Sequence, residues 1–304
     1  GAFVARANDT SSAFYNPAGL TRAERTSISG NAGVFQFGSV SPEGLNQSGG
    51  SFQQIPAMFA FVLNNLLGRE EWAGGLSVAR VNAWMQDVDS ERTLASGSTS
   101  DRIAYSSASE LSGWLVNMGV GYSNSNKLRL GGSLDVQLTT TERRQSLADQ
   151  FRTPTGLAAV LVGAKGSGWM THLRLTGGAQ YDVMPNVTIG AVVRSGGLGL
   201  MSSGATSLEG LSRVGPVTTT ASFFDASPEV EYRLPVELKV GAAWKGPRAQ
   251  VEVDVLAFTG TGVYDAFTSA ETLTVLVDQG SGAPPLVQIY PFRSPVIDSR
   301  SVVN

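Results

Sequence analysis

Between residues 127 and 139, Leu128, Leu130, Leu134, Val136 and Leu138 alternate with Lys127, Arg129, Ser133, Asp135 and Gln137. A hydrophobic period of two is a β-strand with one apolar and one polar face. The segment 169–183 repeats the pattern, setting Leu173, Leu175, Ala179 and Tyr181 against His172, Arg174, Gln180 and Asp182. In 231–245, Tyr232, Leu234, Val236, Leu238, Val240 and Trp244 oppose Glu231, Arg233, Glu237, Lys239 and Lys245, and in 250–255 the valines oppose Gln250, Glu252 and Asp254. Weaker strands are expected at 26–37, 52–63, 72–81, 114–123 and 187–200, and a further one at 286–292. This predicts an all-β chain of about nine or ten strands.

The links alternate in length. Short ones fall at 124–126, 185–186 and 246–247, each made of turn-forming residues. Long ones are expected at 82–113, 144–168, 201–230 and 260–285. Regular short–long alternation describes antiparallel up-and-down hairpins with every long loop at one end, the arrangement of a transmembrane β-barrel. A soluble sandwich also alternates, so the aromatic spacing is the better discriminator. Trp169 and Tyr181 lie twelve residues apart on one apolar face, and Tyr232 and Trp244 repeat that interval. Twelve tilted residues climb roughly 30 Å, the height of an apolar band with its two aromatic girdles. Trp114 and Tyr122, eight apart, fit less well.

With the apolar face on lipid, the other face lines a lumen: Arg129, Asp135, His172, Arg174, Asp182, Glu237, Lys239, Glu252 and Asp254. Both signs are present, which suits a wall fixed by internal ion pairs. Composition narrows the function. Charged residues make up 15% of the chain and the net charge is −3, which gives no basic excess for nucleic acid. The apolar runs 55–63 and 156–164 reach about half of the ~20 residues of a spanning helix. With no Cys, one His (His172), no Gly-x-Ser-x-Gly elbow, no phosphate-binding loop and no His-Glu-x-x-His pair, no enzyme, cofactor or metal site is expected. Within the expected outer links, Leu157, Val160, Leu161 and Val162 form an apolar run and Phe223 and Phe224 offer a second wall, a candidate site for a hydrophobic ligand.

Ahead of the first strand, Asn8-Asp9-Thr10-Ser11-Ser12 leads through Ala13 to Phe14-Tyr15-Asn16-Pro17-Ala18-Gly19-Leu20, a compact turn-rich stretch. This run resembles the hatch motif of the FadL/TodX outer-membrane transporters of long-chain fatty acids and aromatic hydrocarbons, with Asn16, Pro17 and Ala18 matching the hatch triplet. The resemblance extends over roughly residues 7–258. It implies a fourteen-stranded barrel in the bacterial outer membrane, surrounded by lipid and acting as a monomer. It also implies capture of a hydrophobic molecule at the outer loops, passive uptake past the hatch, and release through a kink in the third strand, here 72–81 with Gly74 and Gly75. The expected division is a partial hatch at 1–24 and an incomplete barrel at 25–304, a fragment short of the family's strand number. The secretion-associated PorV relatives share the Asn-Pro-Ala-Gly run, so the competing reading is a secretion-linked or structural barrel that binds a protein partner.

Overall fold

The computed structural model describes residues 3–31, 35–40, 49–54, 57–96, 99–124, 127–153, 156–292, 296–299 and 302–303. Among the described residues, a helix, Ser12–Tyr15, and two 3-10 turns, Pro17–Arg22 and Leu66–Gly68, interrupt what is otherwise strand and connection. The strands of the first half are β1 (Ser27–Asn31), β2 (Phe35–Val40), β3 (Gly49–Gln54), β4 (Met58–Asn64), β5 (Trp72–Ser96), β6 (Thr99–Ser123), β7 (Leu128–Thr153) and β8 (Gly156–Met184). Then follow β9 (Val187–Arg194), β10 (Leu198–Val214), β11 (Val217–Asp225), β12 (Glu229–Val230), β13 (Glu237–Lys245) and β14 (Gln250–Phe258). The last are β15 (Gly262–Asp265), β16 (Phe267–Thr268), β17 (Thr272–Asp278), β18 (Leu286–Pro291), β19 (Val296–Ser299) and β20 (Val302–Val303).

Sixteen of these strands join in one antiparallel sheet. From β4 to β8, apart from a 3-10 turn, each strand pairs with the next, and beyond β8 the sheet forks. Residues 176–184 of β8 continue through β9, β13 and β14, whereas 158–173 continue through β10, β11, β17 and β18.

The long links expected at 82–113 and 144–168 are strand at 82–96, 99–113, 144–153 and 156–168. β5 and β6 stay paired from Trp72↔Tyr122 to Ser96↔Thr99, and β7 and β8 from Leu128↔Tyr181 to Thr153↔Gly156. Of 201–230, most is the β10–β11 hairpin, and 260–285 holds β15, β16 and β17. The hydrophobic period could not report these extensions because polar residues occupy both faces of 82–113 and 144–153, and apolar residues both faces of 156–164. Serines and threonines, such as the hydrogen-bonded pair Ser106 and Ser146, carry the ladder instead. At 25–29 residues these four strands are far longer than the usual five or six.

Burial across the lower sheet is inverted relative to a sheet in water. Outward-facing Leu175, Val253 and Met118 are 63%, 63% and 54% exposed, while inward-facing Asp135, Asn117 and Arg174 are 0%, 0% and 3% exposed. Trp72 and Tyr122, in ring contact at 4.7 Å, share the short-turn end of the outward face with Tyr181 and Trp244. Trp114 and Trp169 stand toward the other end of that face. Tyr232 does not join them. Residues 231–236 leave the sheet, and Tyr232 turns inward, so its expected pairing with Trp244 across a lipid face is corrected.

Candidate functional site

The inward face is filled at its short-turn end by residues 3–23. Asn16 organises this segment: its side-chain oxygen accepts from Ala18 N–H (3.1 Å) and caps the turn that Pro17 begins. Its amide donates to Val4 O (2.8 Å) and, across to β8, to Ala179 O (3.2 Å). Asn16, Pro17 and Ala18 are thus fully enclosed where the sheet meets the segment. Gln180 of β8 adds bonds to Val4 O and Ala7 O, and β14 contributes Asp254, which accepts from Phe3 N–H (2.6 Å) and Val4 N–H (3.1 Å). Glu252 of β14 lies beside Arg6. Strands from β5 to β14 therefore curve around one short peptide.

Glycines on the inward face make this seating possible. A side chain at Gly178 would collide with Asn16, at Gly131 with Pro17 and Ala18, and at Gly75 with Leu20. At Gly121 and Gly190, a Cβ would come within 2.9 Å of Pro17 O and 2.6 Å of Val4 O. Gly75 therefore serves close approach. The ladder through Gly74 and Gly75 is paired continuously on both sides, to β4 and to β6, so the sheet is not open there.

Above the segment runs a charge network. Arg194 reaches Asp135 (3.2 Å) and Glu237 (3.4 Å), Arg174 reaches Glu237 (3.1 Å), and Lys239 adds a contact at 3.5 Å. Asp135 also accepts from Thr176 (2.7 Å), Ser133 (3.0 Å) and Asn117. Arg194 ties the network to the segment through Phe14 O (2.9 Å), and Arg129 pairs with Asp182 (2.6 Å). Arg129, Asp135, Arg174, Glu237, Glu252 and Asp254 all lie on the inward face. Arg194 was absent from the sequence candidates, although alternation in 187–194 places it there.

The sheet has a breach between β10 and the strands beyond it. Ser195, Gly196 and Gly197 separate β9 from β10. β11 stops at Asp225↔Thr206 and β13 resumes at Glu237↔Arg194, so the far edge of 198–205 has no strand partner among the described residues. The intervening chain runs across the inward face. Tyr232 O accepts from His172 Nε2 (2.5 Å), Leu234 O from Gly197 N–H (3.3 Å) and Pro235 O from Arg174 (2.9 Å), while Val230 packs on Gly168 and Gly204. Leu198, Leu200 and Met201 at the breach are 64%, 50% and 61% exposed.

The expected loop candidates lie on strands β8 and β11, and alternation splits them. Val160, Val162 and Phe223 point inward, whereas Leu157, Leu161 and Phe224 point outward. Phe223 stacks on Phe292 at 4.0 Å, and Phe292 with Ala164, Leu208 and Phe267 borders a cavity of about 410 Å³. Arg143 and Gln145 of β7, Lys165 of β8, and Thr206 and Ser207 of β10 supply its polar lining. On the outward side of β7, Arg144 hydrogen-bonds Glu142 and holds its carboxyl below the usual range, with burial opposing and Lys165 assisting.

Comparison of the chain with models of protein families, with curated proteins and with solved structures found no match in any of the three.

Proposed function

We propose that the curved sheet is the wall of an outer-membrane β-barrel, that residues 1–24 act as its hatch, and that the protein takes up hydrophobic small molecules passively. Long-chain fatty acids or aromatic hydrocarbons are the class implied by the resemblance in residues 8–20. The observation that carries this reading is the inverted burial: an exposed apolar outer face edged by Trp and Tyr, around an enclosed polar interior, suits a sheet solvated by lipid. The breach at 198–205 supports a sideways exit. It combines a free strand edge and exposed Leu and Met with an inner strap, 226–236, that stands between interior and lipid.

These 304 residues contain no cysteine, so a disulfide to the strap can be assigned by comparison with the two single cysteine variants. Cells carrying the full-length protein are expected to take up labelled dodecanoate or toluene. In the double variant Gly168→Cys/Val230→Cys, oxidation should pin the strap and suppress uptake, and reductant should restore it. Uptake unaffected by a formed disulfide would reject the breach as the route. No uptake of either compound by the wild type would instead favour a barrel that binds a protein partner. The split of the loop candidates gives a second expectation. Leu161→Asp and Phe224→Asp, both outward, should leave uptake near wild type, whereas Ala164→Trp, which fills the inward cavity, should reduce it.

A further inference from the structure

We propose that the short-turn end of the sheet holds an oxyanion site, suited to a phosphate group, that is complete only when the N-terminal segment is seated. The site is independent of the uptake reading. A hollow of about 200 Å³ lies there between the segment and the wall. The segment contributes Arg6, Asn8 and Arg22, and the wall contributes Asn186 from the β8–β9 turn, Lys245 at the end of β13 and Gln250 at the start of β14. Lys245 and Gln250 pair across their hairpin, and Lys245 N–H donates to Asn186 O (2.9 Å), which fixes the two turns side by side.

The polar lining is rich in donors. Three cations and three side-chain amides border the hollow, and among the described residues no carboxylate lines it. The positive charge is only partly offset by its neighbours. Arg22 (3.2 Å) and Arg129 (2.6 Å) share Asp182, so one carboxylate serves two guanidiniums. Arg6 lies over the Phe3 ring at 5.2 Å and beside Glu252, while Asp254, the next acid along β14, is occupied by Phe3 and Val4 N–H. Among the described residues, the exposed side chains of Asn8, Asn186, Lys245 and Gln250 make no hydrogen bond or ion pair. Sites for whole small molecules usually start near 300 Å³ and are mostly apolar, so this smaller polar hollow fits a single charged group. A phosphate group brings a charge near −2 and at least three strong acceptor oxygens, enough to engage cations and amides from both sides at once. Because half of the donors belong to the segment, the anion binds the seated state in preference to the unseated one and stabilises it by mass action.

The test is equilibrium dialysis of radiolabelled inorganic phosphate against the full-length protein in phospholipid-free maltoside detergent, with ionic strength held constant by chloride. Wild type is expected to bind one phosphate saturably. Lys245→Met and Arg6→Gln should each weaken binding about tenfold, the value of one charge-assisted hydrogen bond. Asn186→Asp, which puts a carboxylate into the hollow, should abolish it. Phosphate at about ten times its Kd should slow cleavage of residues 3–23 by a nonspecific protease about tenfold in the wild type and leave the rate unchanged in Asn186→Asp. Added phosphatidic acid separates the two sources of this chemistry: displacement of the label identifies a lipid head group as an occupant, and retention of the label identifies the free anion, the site standing in both cases. No saturable binding at millimolar phosphate, or binding equal in wild type and all three variants, would overturn the assignment. Binding that leaves the cleavage rate unchanged in the wild type would overturn the coupling to seating.

Discussion

Gly178→Val is expected to unseat the N-terminal segment. The glycine has no side chain because Asn16 occupies that space, and a branched side chain there meets the buried amide that caps the Pro17 turn and holds Val4 O and Ala179 O. Overpacking against an enclosed polar group, with loss of its hydrogen bonds, should cost at least about 3 kcal/mol. Limited proteolysis of the assembled protein reads the effect: cleavage within residues 3–23 should become rapid. Gly177→Val is the control, since its Cβ would meet only Val193 at an ordinary 3.6 Å. Equal protection in the two variants would mean that the segment is not held by this glycine bed.

Asp135→Ala should be comparably severe for a different reason. The carboxylate is fully enclosed and gathers Arg194, Thr176, Ser133 and Asn117, so its removal leaves Arg194 short of a counter-charge in the interior. Breaking one side of a buried ion pair costs about 3–5 kcal/mol, whereas Glu142→Ala in the exposed outer cluster should cost less than about 1 kcal/mol. Urea unfolding from lipid vesicles provides the comparison. Pairing Asp135→Ala with Arg194→Leu should recover part of the loss, because the stranded charge leaves with its partner. A double variant no better than the sum of the two would place the stability of this region elsewhere.

The half of the sheet nearest the short turns was legible because exposed apolar residues on one face and packed polar groups on the other impose a period of two. Leu134 and Leu175 against Asp135 and Arg174 are direct outputs of that constraint. The halves of β5 to β8 far from the short turns were not legible as strands, since polar residues on both faces of β5 to β7, and apolar residues on both faces of 156–164 in β8, leave no alternation to count. The same blindness put Leu157, Leu161 and Phe224 beside Val160, Val162 and Phe223 in one site, when strand geometry sends adjacent residues to opposite faces. Residues 231–236 failed in the other direction. Their alternation mimics a strand, but hydrogen bonds to His172, Arg174 and Gly197 draw the chain inward, and such distant partners leave no local trace. The inward glycines were visible, yet their purpose depends on a peptide more than fifty residues away in sequence.

The proposed membrane orientation of the sheet can be measured on one strand and one face. Leu175 lies six residues from both Trp169 and Tyr181, midway along the apolar band, and is 63% exposed; Leu161, also outward on β8, is 47% exposed and lies eight residues beyond Trp169. Leu175→Arg should place a charge near the bilayer midplane at about 2–4 kcal/mol, while Leu161→Arg should stand in water at almost no cost. The fraction of each variant that inserts into lipid vesicles as folded protein is the readout. The account predicts a large deficit for Leu175→Arg and wild-type insertion for Leu161→Arg. Equal tolerance of the two arginines would contradict it, because a sheet surrounded by water treats both positions alike.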